Sequence, residues 1–306
     1  MTYAALSLLA ALVARLPRAA LAALGGALGF FVGSILRIRR RLVESAMERS
    51  GVRDPASAAA RMYRALGHGV FELLWLAGAR PAVRADEVAR VAIDAEAVTA
   101  LGEAMARGPV VLFASHTGNW ELAAAAAAQH LSGQGRGLAV VAKAMHARGV
   151  DAFLVRLRRH LGVRVLSPVG AFGAARRALH AGDVVVMPID QVPDRASHGV
   201  AVPFLCDSAL ADRAPAMLAW RAKATVLVVA AERDGGEHRV RLLDVIPAPS
   251  RGGVTRSRVW VDATTKRATA ALEEFVRRSP QSWLWLHRRW RAPRSAPPLV
   301  ATRQAG

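Results

Sequence analysis

Residues 110–122, VVLFASHTGNWEL, run from an apolar segment through a polar turn into a helix-forming segment, and this order of elements indicates the fold. Val110 to Ala114 is apolar throughout, as is typical of a buried parallel strand. Leu122 to Ala128 are strong helix formers, so a helix is predicted from about Asn119 to about Leu131. The polar residues between strand and helix are therefore expected at the carboxyl end of a strand.

Within this stretch, His116 and Glu121 are five residues apart. On a continuous helix they would point about 140° away from each other, so they can cooperate only if His116 precedes the helix and Glu121 lies in its first turns. Gly118 and Asn119 supply the backbone freedom for the turn between them. A neutral imidazole accepts a proton near pH 7, and a carboxylate on its other nitrogen fixes the tautomer. We therefore predict a catalytic base, His116, oriented by Glu121; stabilisation of a helix N-terminus is the structural alternative for Glu121.

The rest of the chain alternates predicted helices and strands. Helices are predicted over 54–79, 151–161, 173–180, 214–223 and 262–278, and strands over 137–142, 163–166, 184–189, 225–231 and 239–246. Strands separated by helices predict an α/β fold with a mostly parallel sheet flanked by helices. In such folds functional sites gather at the carboxyl ends of strands, where both His116 and Asp190 fall.

Composition narrows the choice of partners. The chain has 306 residues and a formal net charge of +19, carried mainly by arginine. This charge predicts an anionic partner, which could be nucleic acid, a phospholipid surface, an anionic substrate or an acidic carrier. The arginines are spread along the chain and accompany no nucleic-acid-binding motif, so a nucleic-acid-binding protein is the less favoured alternative. The single cysteine, Cys206, excludes an internal disulfide.

The N-terminus predicts membrane association. Ala19 to Leu36 is an uncharged run of 18 residues followed by a cluster of arginines, and a second apolar run, Tyr3 to Ala14, precedes it. A spanning helix needs about 17 residues or more. One tilted span, a hairpin in the interface, and a pair of helices packed on the protein are all compatible with this pattern. We predict an anchoring segment over 1–41, a catalytic domain over 42–292 on the cytoplasmic side, and a flexible tail over 293–306.

The segment HTGNWE, residues 116–121, resembles the His-x4-Asp/Glu box of glycerolipid-type acyltransferases. It is most similar to the variant found in the bacterial lipid A biosynthesis acyltransferases. Three further stretches follow in that family's order, and the similarity covers about residues 20 to 292. They are Asp151 to Gly162 (DAFLVRLRRHLG), Val184 to Phe204 (VVVMPIDQVPDRASHGVAVPF) and Trp283 to Trp290 (WLWLHRRW).

The resemblance implies an O-acyltransferase at the inner membrane. It would transfer a fatty acyl chain from an acyl carrier protein or CoA thioester to a hydroxyl of a lipid A precursor. A lysophospholipid, a phosphatidylinositol mannoside or an aminolipid is the alternative acceptor. The chemistry it implies needs no metal or cofactor, and no His-Glu-x-x-His spacing suggests a metal hydrolase. Asn119, with nearby backbone N–H groups around Gly118, would stabilise the oxyanion.

The resemblance also assigns substrate-binding residues. Arg156 aligns with the family's arginine on the helix after the box, where it would bind a phosphate or carboxylate, or pair with Asp190. Asp190 and Gln191 would line the site, and Val200 to Phe204 would form an acyl-groove wall or part of the core. The tryptophans of the last motif are expected either at the membrane interface or packed on the sheet. We assign no catalytic role to the histidine in that motif, His287.

Overall fold

The computed structural model describes residues 2–167, 169–234, 236–250 and 253–291; the tail predicted at 293–306 lies outside them. The helices are α1 Tyr3–Val13, α2 Arg18–Phe30, α3 Arg40–Arg49, α4 Pro55–Gly78, α5 Pro81–Val88, α6 Ala95–Arg107, α7 Trp120–Ser132, α8 Arg148–His160, α9 Ala171–His180, α10 Ala214–Ala222 and α11 Val254–Arg278. The strands are β1 Ala92–Ile93, β2 Val110–Ala114, β3 Leu138–Val141, β4 Val163–Leu166, β5 Val184–Pro188, β6 Gly199–Phe204, β7 Asp207–Asp212, β8 Thr225–Asp234 and β9 Glu237–Ile246.

Seven strands form one sheet in the order β1-β9-β8-β2-β5-β3-β4. All neighbouring strands in it are parallel except β8 and β9, which are antiparallel. One buried cluster of apolar side chains packs α6 and α7 onto one face, and another packs α9, α10 and α11 onto the other. The predicted α/β fold with a mostly parallel sheet is confirmed.

A short antiparallel hairpin, β6 and β7, lies outside the main sheet. The side chains of Val200, Val202 and Phe204 alternate inward along β6 and are buried in the core. Of the two roles predicted for this segment, the structure therefore supports the core and not a wall of an open groove.

The N-terminal helices pack on later helices of the chain. Both α1 and α2 contact α4, and α1 also contacts α8. A π-helical turn, Phe31–Ile35, extends α2. Within the described ranges, the helical stretch Arg18–Ile35 is long and apolar enough to cross a membrane, and only 22% of it is buried.

Candidate active site

The turn after β2 carries His116 at the centre of the sheet. β2 lies between β8 and β5, so the residues that follow it face the loops of both neighbours. Gly118 has a left-handed φ of +51°, and a Cβ there would lie 2.8 Å from the Ala231 carbonyl oxygen. The turn is thus a position for glycine, as the sequence predicts. Its N–H donates to the carbonyl oxygen of Ser282 at 2.7 Å.

Asp190 follows β5, the strand next to β2, and holds His116 through both carboxylate oxygens. The Nδ1 atom of His116 lies 2.9 Å from Oδ1 of Asp190, and the backbone N–H of His116 donates to Oδ2 at 2.8 Å. The indole N–H of Trp283 donates to Oδ2 as well, at 3.1 Å. An ionised carboxylate only accepts hydrogen bonds, so Nδ1 carries the hydrogen and Nε2 keeps a free lone pair. This is the arrangement a general base requires.

The electrostatics of this pair follow from its burial. Asp190 is 1% exposed. Burial alone would raise the pKa of Asp190, but the charge and hydrogen bonds of His116 hold it well below its usual range. Burial alone would likewise lower the pKa of His116, yet the charge and hydrogen bond of Asp190 keep it above its ordinary value of 6.5. Asp190 therefore stays ionised, and His116 is a stronger base than a free imidazole.

Glu121 does not form the predicted contact with His116. In the first turn of α7 its carboxylate, 8% exposed, is paired with the Arg158 guanidinium: Arg158 Nε donates to one carboxylate oxygen at 2.8 Å, and Nη2 donates to the other. The physical reason is that Asp190 already occupies Nδ1 of His116. Glu121 still acts through space, because its charge contributes to raising the pKa of His116. Its catalytic role stays a prediction.

The arginine beside this turn is Arg158 rather than the predicted Arg156. Two residues along a helix rotate a side chain by about 200°. Arg156 is accordingly exposed, whereas the Arg158 side chain is 17% exposed and packed against α7. The alignment with the family motif selected Arg156, but the rotation along α8 places Arg158, and not Arg156, against Glu121. The substrate-binding role predicted for Arg156 stays a prediction. The alternative that paired Arg156 with Asp190 is wrong, because Asp190 is bonded to His116 and Trp283.

Asn119 and Gln191 are both close to the site. The Asn119 side-chain oxygen accepts from the N–H of Leu122 at 3.2 Å and caps α7, while its amide donates to Glu72 at 2.8 Å. Both polar atoms thus already have protein partners, which leaves less freedom for the predicted oxyanion role. The backbone carbonyl oxygen of Gln191 accepts a long hydrogen bond, 3.5 Å, from Nη1 of the buried Arg289.

The C-terminal motif packs against the turn that carries His116. Trp283 and Trp285 are fully buried, so the alternative that placed these two rings at a membrane interface is wrong. The backbone N–H of Leu284 donates to the His116 carbonyl oxygen at 3.0 Å, which ties this segment to the turn after β2. In the sequence this segment stands out only as a cluster of aromatic residues, WLWLHRRW, which does not show what it packs against.

His287, to which the sequence analysis assigned no catalytic role, lies directly beside His116. Its ring packs edge-on against that of His116, with centroids 4.8 Å apart, and its buried Nε2 has no hydrogen-bond partner. Burial and the neighbouring His116 lower its pKa to about 4, so the ring is neutral. His287, His116 and Asp190 could together offer three ligand atoms to a metal ion, since these atoms lie within 4.8 Å of one another. The distance of 2.9 Å between Nδ1 of His116 and Oδ1 of Asp190 is that of a direct hydrogen bond, so these two atoms are bonded to each other in this arrangement.

An apolar cavity opens beside the turn. Its empty volume is about 740 Å³, including the part open to solvent. One wall is the sheet, through residues such as Leu112 and Leu227, and the other is formed by α6 and the alanine-rich face of α7. The Trp120 ring, at one end of this face, also contacts the His116 ring, with centroids 5.1 Å apart. An apolar space of this shape suits a hydrocarbon chain.

A comparison with known protein families found a match over most of the chain. The family model for bacterial lipid A biosynthesis acyltransferases matches residues 1–292. The chain belongs to this family. It is therefore a lipid A acyltransferase by family, and the family implies a lipid acceptor and an acyl thioester donor. No curated protein matches the chain.

Proposed function

We propose that the protein is a membrane-associated O-acyltransferase that moves a fatty acyl chain from a carrier-protein or CoA thioester to a hydroxyl of a lipid A precursor. One observation carries the proposal: a histidine held at Nδ1 by a buried carboxylate lies beside an apolar cavity. The first feature activates an alcohol, and the second holds a fatty chain.

In the proposed reaction, Nε2 of His116 takes the proton of the acceptor hydroxyl as its oxygen attacks the thioester carbonyl carbon. The tetrahedral intermediate collapses with cleavage of the C–S bond. The thiolate leaves and takes the proton from Nε2, so the products are an ester and a free thiol. Asp190 keeps the imidazole in the required tautomer and stabilises the imidazolium that forms.

The ion pair of Glu121 and Arg158 supports a second role at this site. The guanidinium is fixed by two hydrogen bonds to Glu121, in the first turn of the helix that follows His116, and its charge reaches His116. A guanidinium held in this way suits an acceptor phosphate or carboxylate. We propose that Arg158, rather than Arg156, binds the anionic group of the acceptor, and that Glu121 positions it.

The charge of the chain supports an acidic or anionic partner. A net charge of +19 favours docking of an acidic carrier protein and of an anionic membrane surface. We place the protein at the cytoplasmic face of the inner membrane, where the arginine cluster after α2 would remain under the positive-inside rule. The proposed chemistry uses no metal or cofactor, and nucleic acid is not an expected partner.

The test uses the purified full-length protein in detergent micelles with defined acyl thioesters. Acceptors are a lipid A precursor, a lysophospholipid, a phosphatidylinositol mannoside and an aminolipid, and products are identified by mass spectrometry. We expect ester formation on the lipid A precursor, which is at least tenfold faster than on the other lipids. Faster transfer to another lipid would overturn the acceptor assignment. Activity abolished by a chelator and restored by a metal would overturn the proposed mechanism.

A further inference from the structure

We infer that α2 does not cross the membrane: α1 and α2 lie in one leaflet, and the whole described chain stays on one side of the bilayer. This rests on the membrane association proposed above and decides between the three arrangements that the sequence leaves open. It is carried by two opposite faces of α2, one packed against α4 and one exposed.

The packed face is a row of glycines. Gly25, Gly29 and Gly33 recur every four residues, and added Cβ atoms would overlap the backbone of His68, the backbone of Tyr63 and Arg64, and the Tyr63 ring respectively. On α4, a Cβ at Gly67 would overlap the Gly25 carbonyl oxygen. The two helices are thus in direct backbone contact over about one turn, from Gly25 to Gly29, and Gly33 extends the close packing onto the Tyr63 ring. α2 cannot tilt into a bilayer without taking α4 with it.

The contacted part of α4 is polar. Gly26, at the middle of the apolar stretch Arg18–Ile35, lies beside His68, because a Cβ there would be 3.4 Å from Nε2 of that histidine. The Nδ1 atom of His68 lies 3.4 Å from Nη1 of Arg233, which forms an ion pair with Glu72. A spanning α2 would carry these charged groups to the centre of a hydrocarbon core about 30 Å thick. That is where ionised side chains are least stable.

The exposed face fits a lipid leaflet. On the side of α2 away from the glycines, Leu24, Phe31 and Ile35 are exposed by 42%, 49% and 58%. α1 adds exposed leucines at positions 8, 9 and 12. Exposed arginines stand at both ends of α2, at positions 15, 18, 37 and 41. Apolar side chains flanked by arginines match the acyl region and the anionic headgroups of one leaflet.

This arrangement brings the reactive turn close to the lipid. Glu72, on α4, accepts a hydrogen bond from Asn119, which begins the helix after His116. Only α4 therefore separates the anchoring helix from the turn, and packed helix axes are about 8–10 Å apart. A lipid acceptor would need to rise from the leaflet by little more than one helix layer to reach His116.

The test is a labelling experiment on the full-length protein in cell membranes. In a Cys206→Ser background, single cysteines replace Arg15 before α2 or Arg41 after it; both are exposed arginines, so each serves as control for the other. An impermeant maleimide is added to spheroplasts or to inverted vesicles. We expect both cysteines to react only in inverted vesicles. Reaction of Arg15→Cys from the opposite side to Arg41→Cys, or from neither side, would overturn the inference.

A flotation experiment identifies what covers the exposed face. The purified protein is mixed with vesicles of phosphatidylglycerol and phosphatidylethanolamine. We expect it to float, and Phe31→Asp to lose most of this binding while Val259→Asp, on exposed α11, retains it. A dimer that forms through this face and fails to float would show that a second copy covers it instead. Neither experiment reads activity, so the inference fails or stands independently of the proposed reaction.

Discussion

The alanine face of α7 makes a quantitative prediction about acyl-chain length. Trp120, beside His116, and His130 both line the cavity and are ten residues apart, which is about 15 Å along a helix. C–C single bonds are about 1.5 Å long, so an extended chain advances about 1.3 Å per carbon and about twelve carbons fit this length. Ala127 lies about 10.5 Å from Trp120, at the depth of about the eighth carbon.

Filling the cavity at Ala127 should therefore select against longer chains. In Ala127→Phe the last four carbons of a twelve-carbon chain lose their apolar contacts, and each is worth about 0.8 kcal/mol. The sum, about 3 kcal/mol, corresponds to a roughly two-hundredfold lower kcat/KM for the twelve-carbon donor than for the eight-carbon donor, relative to the same ratio in the wild type. Ala123→Phe, nearer to Trp120, should discriminate at shorter lengths, against donors of more than about four carbons.

The assay compares kcat/KM for thioesters of four to sixteen carbons, with the acceptor held constant. Ala270→Phe, an exposed alanine on α11, is the matched control and should not change the profile. Because overpacking costs about 1–3 kcal/mol, thermal unfolding is measured for each variant. A folded Ala127→Phe protein that loses activity equally for all donors, or keeps the wild-type profile, would refute the assignment of the cavity.

Three further variants test the reactive centre. His116 must be neutral to act, so kcat/KM of the wild type should rise with pH and level off only above about 6.5. Asp190→Asn should move this rising limb of the pH profile to lower pH and cut the plateau by roughly two to four orders of magnitude. An unshifted limb would contradict the pairing of His116 with Asp190. Trp283→Phe keeps an aromatic ring at this position but removes the indole N–H that donates to Asp190. The kcat should therefore fall about tenfold or more at unchanged KM, and the acidic limb of the pH profile should move to higher pH; a change in KM alone would count against it. Arg158→Gln should raise KM for the acceptor at least tenfold and lower the melting temperature. The exposed Arg156→Gln is the control and should stay within about 0.5 kcal/mol of wild-type stability. Equal effects of the two variants on KM would argue against the proposed contact of Arg158 with the acceptor phosphate.

Much of the fold was predictable because its signals are local. The strand and helix around His116 follow from an apolar run, a glycine and a run of alanines, and the structure confirms them as β2 and α7. The antiparallel pairing of β8 and β9 and the separate β6–β7 hairpin were not predicted. Strand direction and partner depend on contacts between distant parts of the chain, which periodicity does not report.

The site was predicted less well for the same reason. The sequence identified His116 as the candidate base, but it paired this residue with the nearby Glu121 rather than with Asp190, 74 residues away. Neighbouring strands of a parallel sheet bring such residues together, and sequence separation gives no measure of it. His287 and Trp283 were missed as neighbours of the base because a C-terminal aromatic cluster does not reveal which turn it packs against.

The role of His116 is tested by acyl transfer with the His116→Ala variant, measured on protein whose folding is verified by thermal unfolding. We predict a loss in kcat of at least a thousandfold, roughly, with donor binding retained, and partial recovery when free imidazole is added. A folded His116→Ala protein that works within tenfold of the wild type would contradict the claim that this imidazole activates the acceptor hydroxyl.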